Sequence, residues 1–554
     1  MKVEELIKSV QKLTQKEAND YLFSICGIKD FFSSGAMRES DDEKINSDTK
    51  EAYGDWQTNE DLAHSICAFI KDTGFNPDVV IEPTCGKGAF IKAALDVFDS
   101  VSVIYGVEIY NPYLELLKND LLERSLKFGR SKATIILENA NVFDYDFSKI
   151  SKKHKDQTIL VLGNPPWVTN SKLSSINSLN LPTKTNFKQT KGLDAITGKG
   201  NFDIAEYISI MLIRTFSSNI GKLAFLVKNI VPKNIVYEQP KAHLGISNIC
   251  QWNIDATKEF DVSAAASLFT CQFGGSYSLN CSVYDFYTKQ FIQEYGWINH
   301  NFVSNVQKYR QTQKYDGICP YVWWSGVKHD CAKVMELKKN ADGNLYNSLG
   351  EMVDIESELV FPLLKSSDIG KELITGTSRY VIITQHTASE DTDFIKDKYP
   401  KAYAYLNSHA KELDGRKSVI YKKRPRFSIF GIGPYSFAPY KIVVSGLYKH
   451  TRFSLVPTIE NKPVIVDDTC YLLGFDTEIN AKITLELLNR QDAQDLLHSL
   501  IFSDAKRVIN KDILMRLNLS ALAESCTSEE LDTSQVALDE YKMSINANIL
   551  FQMH

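Results

Sequence analysis

What the chain lacks narrows its class first. None of its ten cysteines forms a Cys-x-x-Cys pair. They read as reduced, mostly buried thiols of a cytosolic protein rather than a disulfide framework. Cys319, His329 and Cys331 lie close together, but their spacing fits no common zinc site, and no metal is expected. No apolar run is long enough to span a bilayer. Met1 to Gln15 is charged and carries no signal-peptide core, so the expected location is the cytosol. A large excess of positive charge is missing as well: 63 Lys and Arg face 68 Asp and Glu, for a net charge of −5. Any surface for nucleic acid must therefore be local.

What is present is apolar and large. The 554 residues are 44% hydrophobic and 24% charged, enough for sizeable cores in two or three domains. The most informative stretch is Val161 to Trp167. The run Thr158 to Leu162 predicts a buried strand, which ends in Gly163 and then Asn164-Pro165-Pro166-Trp167. Two prolines supply no backbone N–H and stiffen the turn, leaving their carbonyls and the Asn164 side-chain oxygen as acceptors. With a flat aromatic ring alongside, the set suits a planar, amino-bearing base. A rigid strand-to-loop turn would use the same residues.

Upstream, Val79-Val80-Ile81 predicts a strand running into Glu82-Pro83-Thr84-Cys85-Gly86-Lys87-Gly88-Ala89-Phe90. Two glycines at a strand-to-helix turn let a backbone approach a ligand, with a helix expected over about Phe90 to Phe98. The next strand, Ser102 to Val107, ends in Glu108, placed to accept from a ribose diol, and Ile109, placed to lie against an adenine. Glu108 equally suits the start of the helix expected over Asn111 to Arg124. A third strand, Thr134 to Leu137, leads to Asn141 and Val142. Polar residues at successive strand ends are the doubly wound α/β pattern, in which ligands bind at those ends.

In this order the segments resemble the Taq-type (gamma-class) N6-adenine DNA methyltransferases of restriction–modification and related defence systems. The resemblance covers about residues 45 to 290. It implies a Rossmann-like domain that binds S-adenosylmethionine and releases S-adenosylhomocysteine. Cofactor contacts are implied for Thr58, Glu82, Pro83, Cys85, Gly86, Gly88, Phe90, Glu108, Ile109, Asn141, Val142 and Asn164. Catalysis is assigned to Asn164, Pro165, Pro166 and Trp167, and stacking of the target base to Trp167 and Phe260. Two positions depart from the family: Trp167 stands where Tyr is commonest, and Asn141 where Asp is usual. Cys85 lies in the cofactor turn, not in a Pro-Cys setting, which argues against C5-cytosine chemistry. A base inside a duplex would have to be flipped out to reach the site.

Three further regions complete the reading. Asn170 to Gly200 is long and polar, and its Lys172, Lys184 and Lys188 are expected to meet DNA phosphates. Tyr315 to Val334 holds Trp324-Ser325-Gly326-Val327-Lys328, which is similar to an element that begins the recognition region in related methyltransferases; Lys328 is the expected DNA contact there. Gly415 to Ile459 contains no Asp or Glu and nine Lys or Arg, with aromatics interleaved. From it Arg416, Lys417, Lys422, Lys423, Arg424, Arg426 and Lys441 are expected to bind DNA.

The expected organisation is a helical segment over residues 1–44, a doubly wound catalytic domain over 45–295, and an α+β or mainly β target recognition domain with C-terminal helices over 296–554. The expected activity is sequence-specific adenine N6 methylation of double-stranded DNA, with a cognate restriction endonuclease encoded nearby. N4-cytosine methylation, and a DNA-binding specificity subunit with an inactive methyltransferase fold, stay open. No Pro-Asp…Glu-x-Lys arrangement outside the methylase motifs points to a nuclease in this chain. The oligomeric state is left open.

Overall fold

A computed structural model describes residues 3–10, 12–32, 57–169, 203–275, 277–422, 424–448, 451–502 and 507–552. The chain divides into two units, Met1–Phe302 and Val303–His554.

Unit one is built on a single sheet. Its strands in chain order are β1 Ile28–Lys29, β2 Val79–Glu82, β3 Val103–Glu108, β4 Thr134–Asn139, β5 Thr158–Gly163, β6 Ile220–Lys228, β7 Ile246–Ile254, β8 Ala266–Phe273, β9 Asn280–Asp285, β10 Phe291–Ile298 and β11 Asn301–Val303. Their spatial order is β1-β4-β3-β2-β5-β6-β8-β7-β9-β10-β11. From β1 to β6 every neighbour is parallel, and β8 then inserts antiparallel between β6 and β7. The order reverses between β2 and β5, so their C-terminal ends open the crevice in which doubly wound sheets bind ligands.

The sequence explains the layering. β2 and β5 are almost wholly apolar, Val-Val-Ile-Glu and Thr-Ile-Leu-Val-Leu-Gly, and nearly every residue is buried. Strands covered on both faces by helices need such continuous runs. The helices Glu60–Asp72, Ala89–Val97 and Asn111–Phe128 each carry a buried apolar stripe. A short helix, Ser148–Lys153, fills the connection before β5. The first 32 residues belong to this unit. Helices Val3–Val10 and Gln15–Cys26 bury Leu6, Val10 and Leu22, and β1 pairs with β4 through Ile28↔Ile135.

Unit two holds two sheets. Its strands are β12 Trp324–Ser325, β13 Glu336–Lys339, β14 Leu345–Asn347, β15 Val360–Leu364, β16 Arg379–Ile382, β17 Tyr440–Ser445, β18 Ser454–Val456, β19 Ile465–Val466 and β20 Cys470–Phe475. One sheet runs β12-β20-β17-β18 and the other β14-β13-β16-β15-β19. Among the described residues five helices follow in the C-terminal part, Glu478–Asn489, Gln491–Leu500, Lys511–Leu514, Leu519–Glu524 and Gln535–Gln552. The Tyr541 hydroxyl is buried against Thr484 Oγ1 at 2.8 Å and ties the last helix to the first of these. Among the described residues no helix is long and apolar enough to cross a membrane.

Candidate functional site

The crevice begins at the end of β2. The chain turns through Pro83 to Gly88 and enters the helix Ala89–Val97, whose N-cap, Gly88, has φ +73°. Gly86 also lies in the left-handed region, at φ +49°. A Cβ on Gly88 would stand 2.3 Å from Leu117 Cδ1, so only glycine lets this helix close onto its neighbour. On Gly86 it would stand 2.9 Å from Gln57 Oε1.

The turn is held from the side by Glu108 at the end of β3. One carboxylate oxygen accepts from Gly86 N at 2.8 Å and the other from Tyr110 N at 2.8 Å. Cys85 N donates to Val107 O at 2.9 Å, fixing the same edge. Ile109 is 38% exposed beside this acid, an apolar face turned to solvent. Asn141 lies at the end of β4 as expected, but its side-chain oxygen accepts from Phe143 N at 3.0 Å and closes its own turn. Val142 is buried.

Two polar groups at the turn fit a cationic ligand. Glu82 is buried, and burial pushes its carboxyl well above the usual range, with the charge of Glu108 adding to the rise. Its Oε2 and Thr84 Oγ1 have no hydrogen-bond partner among the described residues. An uncompensated buried acid is costly unless a positive charge arrives beside it. S-adenosylmethionine carries two, its ammonium and its sulfonium. Cys85 is buried and its thiol is raised well above its ordinary value, chiefly by burial, so it is no ready nucleophile.

The second arm of the crevice is Asn164 to Trp167, directly after β5. Asn164 Nδ2 donates to Thr58 Oγ1 at 3.2 Å, so two segments about a hundred residues apart in sequence meet here. Pro165 is buried and Pro166 half-buried. Trp167 is 5% exposed, and its indole N–H donates to Leu226 O at 3.1 Å. Phe260, at the end of the helix Ala256–Phe260, does meet Trp167. The rings pack edge to face, with centroids 5.0 Å apart and planes at 64°. This corrects the expected slot. A base sandwiched between two rings needs about 7 Å between parallel planes, two van der Waals contacts. Here the rings fill each other's space and belong to the core.

Phe90 is corrected in the same way. At 1% exposure it packs beneath the turn as a core side chain, worth roughly 1.5–3 kcal/mol of burial, and offers no surface to a cofactor.

Sequence reading missed Lys228, whereas Gln57 lies beside Thr58 in the segment Gly54 to Thr58 that the family resemblance implies as a cofactor contact. Gln57 Oε1 accepts from Lys87 N at 3.4 Å and backs the glycine turn. Lys228, the last residue of β6, donates to Trp167 O at 2.7 Å and to Asp203 Oδ2 at 3.0 Å. Asp203 in turn accepts from Ala205 N and caps the helix Ile204–Phe216. The one signal for Lys228 was a charge ending an apolar strand at the crevice side of the sheet.

In unit two the proposed DNA-binding cations separate. Lys417, Lys422 and Arg424 are exposed and make no ion pair among the described residues. Arg426 pairs with Asp414 at 2.9 Å, and Lys328 with Asp330 at 3.3 Å and Asp468 at 3.8 Å. Arg416 spends its donors on backbone carbonyls, Leu413 O and Ser428 O at 2.8 and 2.7 Å, and lies 3.8 Å from the Tyr421 ring centroid. It is a pin for the chain, not a free phosphate ligand. Lys441 is the plainest correction: it is 1% exposed, and its ammonium donates to Ala438 O at 2.6 Å. It sits on β17, whose residues Lys441 to Ser445 are all buried. The expected contacts Lys172, Lys184, Lys188 and Lys423 lie outside the described residues. Lys328 does meet the basic segment, through an antiparallel bridge to Phe430. His329 accepts from Cys331 N and pairs with Glu336, and no metal-holding group of His, Cys, Asp or Glu occurs among the described residues.

A parallel doubly wound sheet, a left-handed glycine turn and a buried acid at the reversal point define a Rossmann-like, S-adenosylmethionine-dependent methyltransferase domain. The chain is 41% identical over 478 residues to the type II methyltransferase M.NspV of Nostoc sp. (strain ATCC 29411 / PCC 7524), covering 86% of this chain and 98% of that one. It belongs to the type II DNA methyltransferases of restriction–modification systems. Among solved structures it resembles the type IIL restriction–modification enzyme MmeI in complex with DNA, at 13% identity and a TM-score of 0.48, covering 99% of this chain and 75% of that one. It also resembles the type IIG restriction endonuclease BpuSI, at 13% identity and a TM-score of 0.36, covering 88% and 60%. No protein-family model matches the chain.

Proposed function

We propose that the chain methylates the N6 amine of adenine in duplex DNA, at one position of a short recognition sequence. The observation that carries this reading is the placement of Asn164-Pro165-Pro166-Trp167 at the end of β5, beside the glycine turn, with Asn164 tied to Thr58.

S-adenosylmethionine supplies an activated methyl group. Glu82 and Thr84 would receive its cationic end, Glu108 its ribose hydroxyls and Ile109 its adenine. The chain's remaining task is alignment and desolvation of the acceptor. The amine of adenine is a poor nucleophile because its lone pair is delocalised into the ring. Asn164 Oδ1 and the Pro165 carbonyl accept its two hydrogens, which draws the nitrogen toward tetrahedral geometry and frees the lone pair. The base leaves the duplex to reach them. It stacks on Trp167 once Phe260 moves out of contact, and Lys228 holds the Trp167 carbonyl in place meanwhile. No covalent intermediate is required, in keeping with the buried, protonated Cys85.

The second unit reads the sequence, and a cognate restriction endonuclease acts on the same site in the cytosol of the host cell. N4-cytosine methylation would use the same acceptors with a different base pocket. The test is long-read methylation profiling of DNA from cells expressing the wild type or Asn164→Ala. The expected result is N6-methyladenine at one fixed motif position, absent in the variant. N4-methylcytosine would change the base, and an unmodified genome in cells containing folded protein would refute the reading.

A further inference from the structure

Unit two displays an apolar tip that its folding does not explain. Val419–Tyr421 forms a single 3-10 turn with no fully buried residue. Val419 is 71% exposed and Ile420 39%. Two adjacent branched side chains standing in water forgo the stabilisation that burial would bring. Yet the turn beneath them is firmly pinned. The Tyr421 hydroxyl donates to Lys328 O at 3.1 Å, and the Arg416 guanidinium packs on the Tyr421 ring. The Arg416 donors are anchored in turn on Leu413 O and Ser428 O. Backbone bonds from Lys422 N to Val419 O and from Arg424 N to Tyr421 O close the turn from the other side.

The exposed charges next to the tip in sequence are of one sign, while Asp330 and Asp468, paired with Lys328, lie near the Tyr421 hydroxyl beneath it. Lys417, Lys422 and Arg424 are exposed on either side of it, and the segment Gly415 to Ile459 carries no acid. Branched apolar residues on a rigid support, flanked by free cations, match what is needed to enter a duplex. The cations meet phosphates while the apolar side chains wedge between base steps, where unstacking is repaid by a distorted duplex that fits the protein.

We propose that Val419 and Ile420 form a wedge that inserts into the DNA duplex and unstacks a base step, with Lys417, Lys422 and Arg424 holding the flanking phosphates. The inference rests on the DNA-methylating reading and adds to it a second point of duplex distortion, set by the recognition unit and separate from extrusion of the methylated base.

The test uses the full chain and a duplex bearing the motif found by methylation profiling. 2-Aminopurine is placed at each position in turn, and its fluorescence reports unstacking on binding. Wild type should brighten a step other than the methylated base. Val419→Ala with Ile420→Ala should abolish that signal and lower kcat/KM about tenfold or more, while the melting temperature stays unchanged because both side chains are exposed. Lys417→Ala with Lys422→Ala should instead weaken binding and flatten its salt dependence by roughly two charges. Retained brightening and activity in the Val419/Ile420 variant would overturn the wedge alone, and would assign the tip to a protein partner. A wild type that methylates no DNA would remove the reading beneath it and the wedge together.

Discussion

Replacing Lys441 by Met separates a buried cation from a DNA contact. Burial lowers the Lys441 pKa from 10.5 to about 7, and no acid among the described residues offsets it. Among the described residues its hydrogen-bond acceptor is Ala438 O, a neutral carbonyl. Above pH ~10.5 the amine is neutral in both folded and unfolded chains, and the site carries no charge penalty. As pH falls toward 7 the unfolded chain takes up a proton that the folded chain refuses, and stability declines. Below about 7 the folded chain is protonated too, and the full penalty is present. About 3.5 pKa units at 1.36 kcal/mol each set an upper bound of about 5 kcal/mol. Met fills a similar volume without the charge. Lys441→Met should therefore be more stable at and below neutral pH, by about 1–4 kcal/mol once the lost bond to Ala438 O is counted. The advantage should shrink steadily as pH rises toward ~10. Urea denaturation across that range measures the difference, and gel-shift assays on duplex DNA should find affinity unchanged. A gap independent of pH would refute the burial argument. A variant of unaltered stability but weaker DNA binding would restore Lys441 as a phosphate ligand.

Two further outcomes follow from the crevice. Gly88→Ala brings a Cβ to 2.3 Å from Leu117 in a left-handed backbone, so the unit should lose about 2–4 kcal/mol of stability and cofactor binding should fall with it; calorimetric titration with S-adenosylmethionine and thermal melting read both. Glu108→Gln keeps the shape but leaves one acceptor where there were two: its amide oxygen can keep the bond from Gly86 N or from Tyr110 N, and its NH2 group faces the other donor. Cofactor affinity should drop by about tenfold to a hundredfold with kcat changed far less, and a kcat loss at unchanged affinity would count against a role at the ribose.

Much of the first unit was legible because its signals are local. Alternation of apolar strands with helices, glycines after β2 and an acid after β3 are short-range patterns. They place Gly86, Gly88, Glu108 and Asn164 at neighbouring strand ends from the sequence alone. The hydrogen bond between Asn164 and Thr58 was not legible, since nothing local couples residues so far apart in sequence. Lys228 escaped for the same reason: it acts on a backbone group brought near only by the fold. The helix Ser148–Lys153 escaped because it is too short to show a period.

Charge and aromatic content misled where side-chain direction decides the role. Trp167 and Phe260 have the right types for stacking plates, but a ring's face is available only if neighbouring atoms leave it open. Here the indole N–H is spent on Leu226 O and the two rings cover each other. A closed pair is a sensible resting state for such a site. Exposed aromatic faces in water cost free energy, and edge-to-face packing returns about 0.5–1.5 kcal/mol beyond burial. On the proposed function, an extruded base that replaced Phe260 against Trp167 would recover a comparable contact, so opening would cost little with a base present and more without one. The basic strip of unit two obeys the same logic. Of the cations drawn from it, Lys441 fell on a buried strand and Arg416 on a cluster of carbonyls, while Lys417, Lys422 and Arg424 fell around an exposed apolar turn. A run of positive charge therefore marks a segment from which the fold selects a few free cations, and the side chains that hold that segment in shape are drawn from the same run.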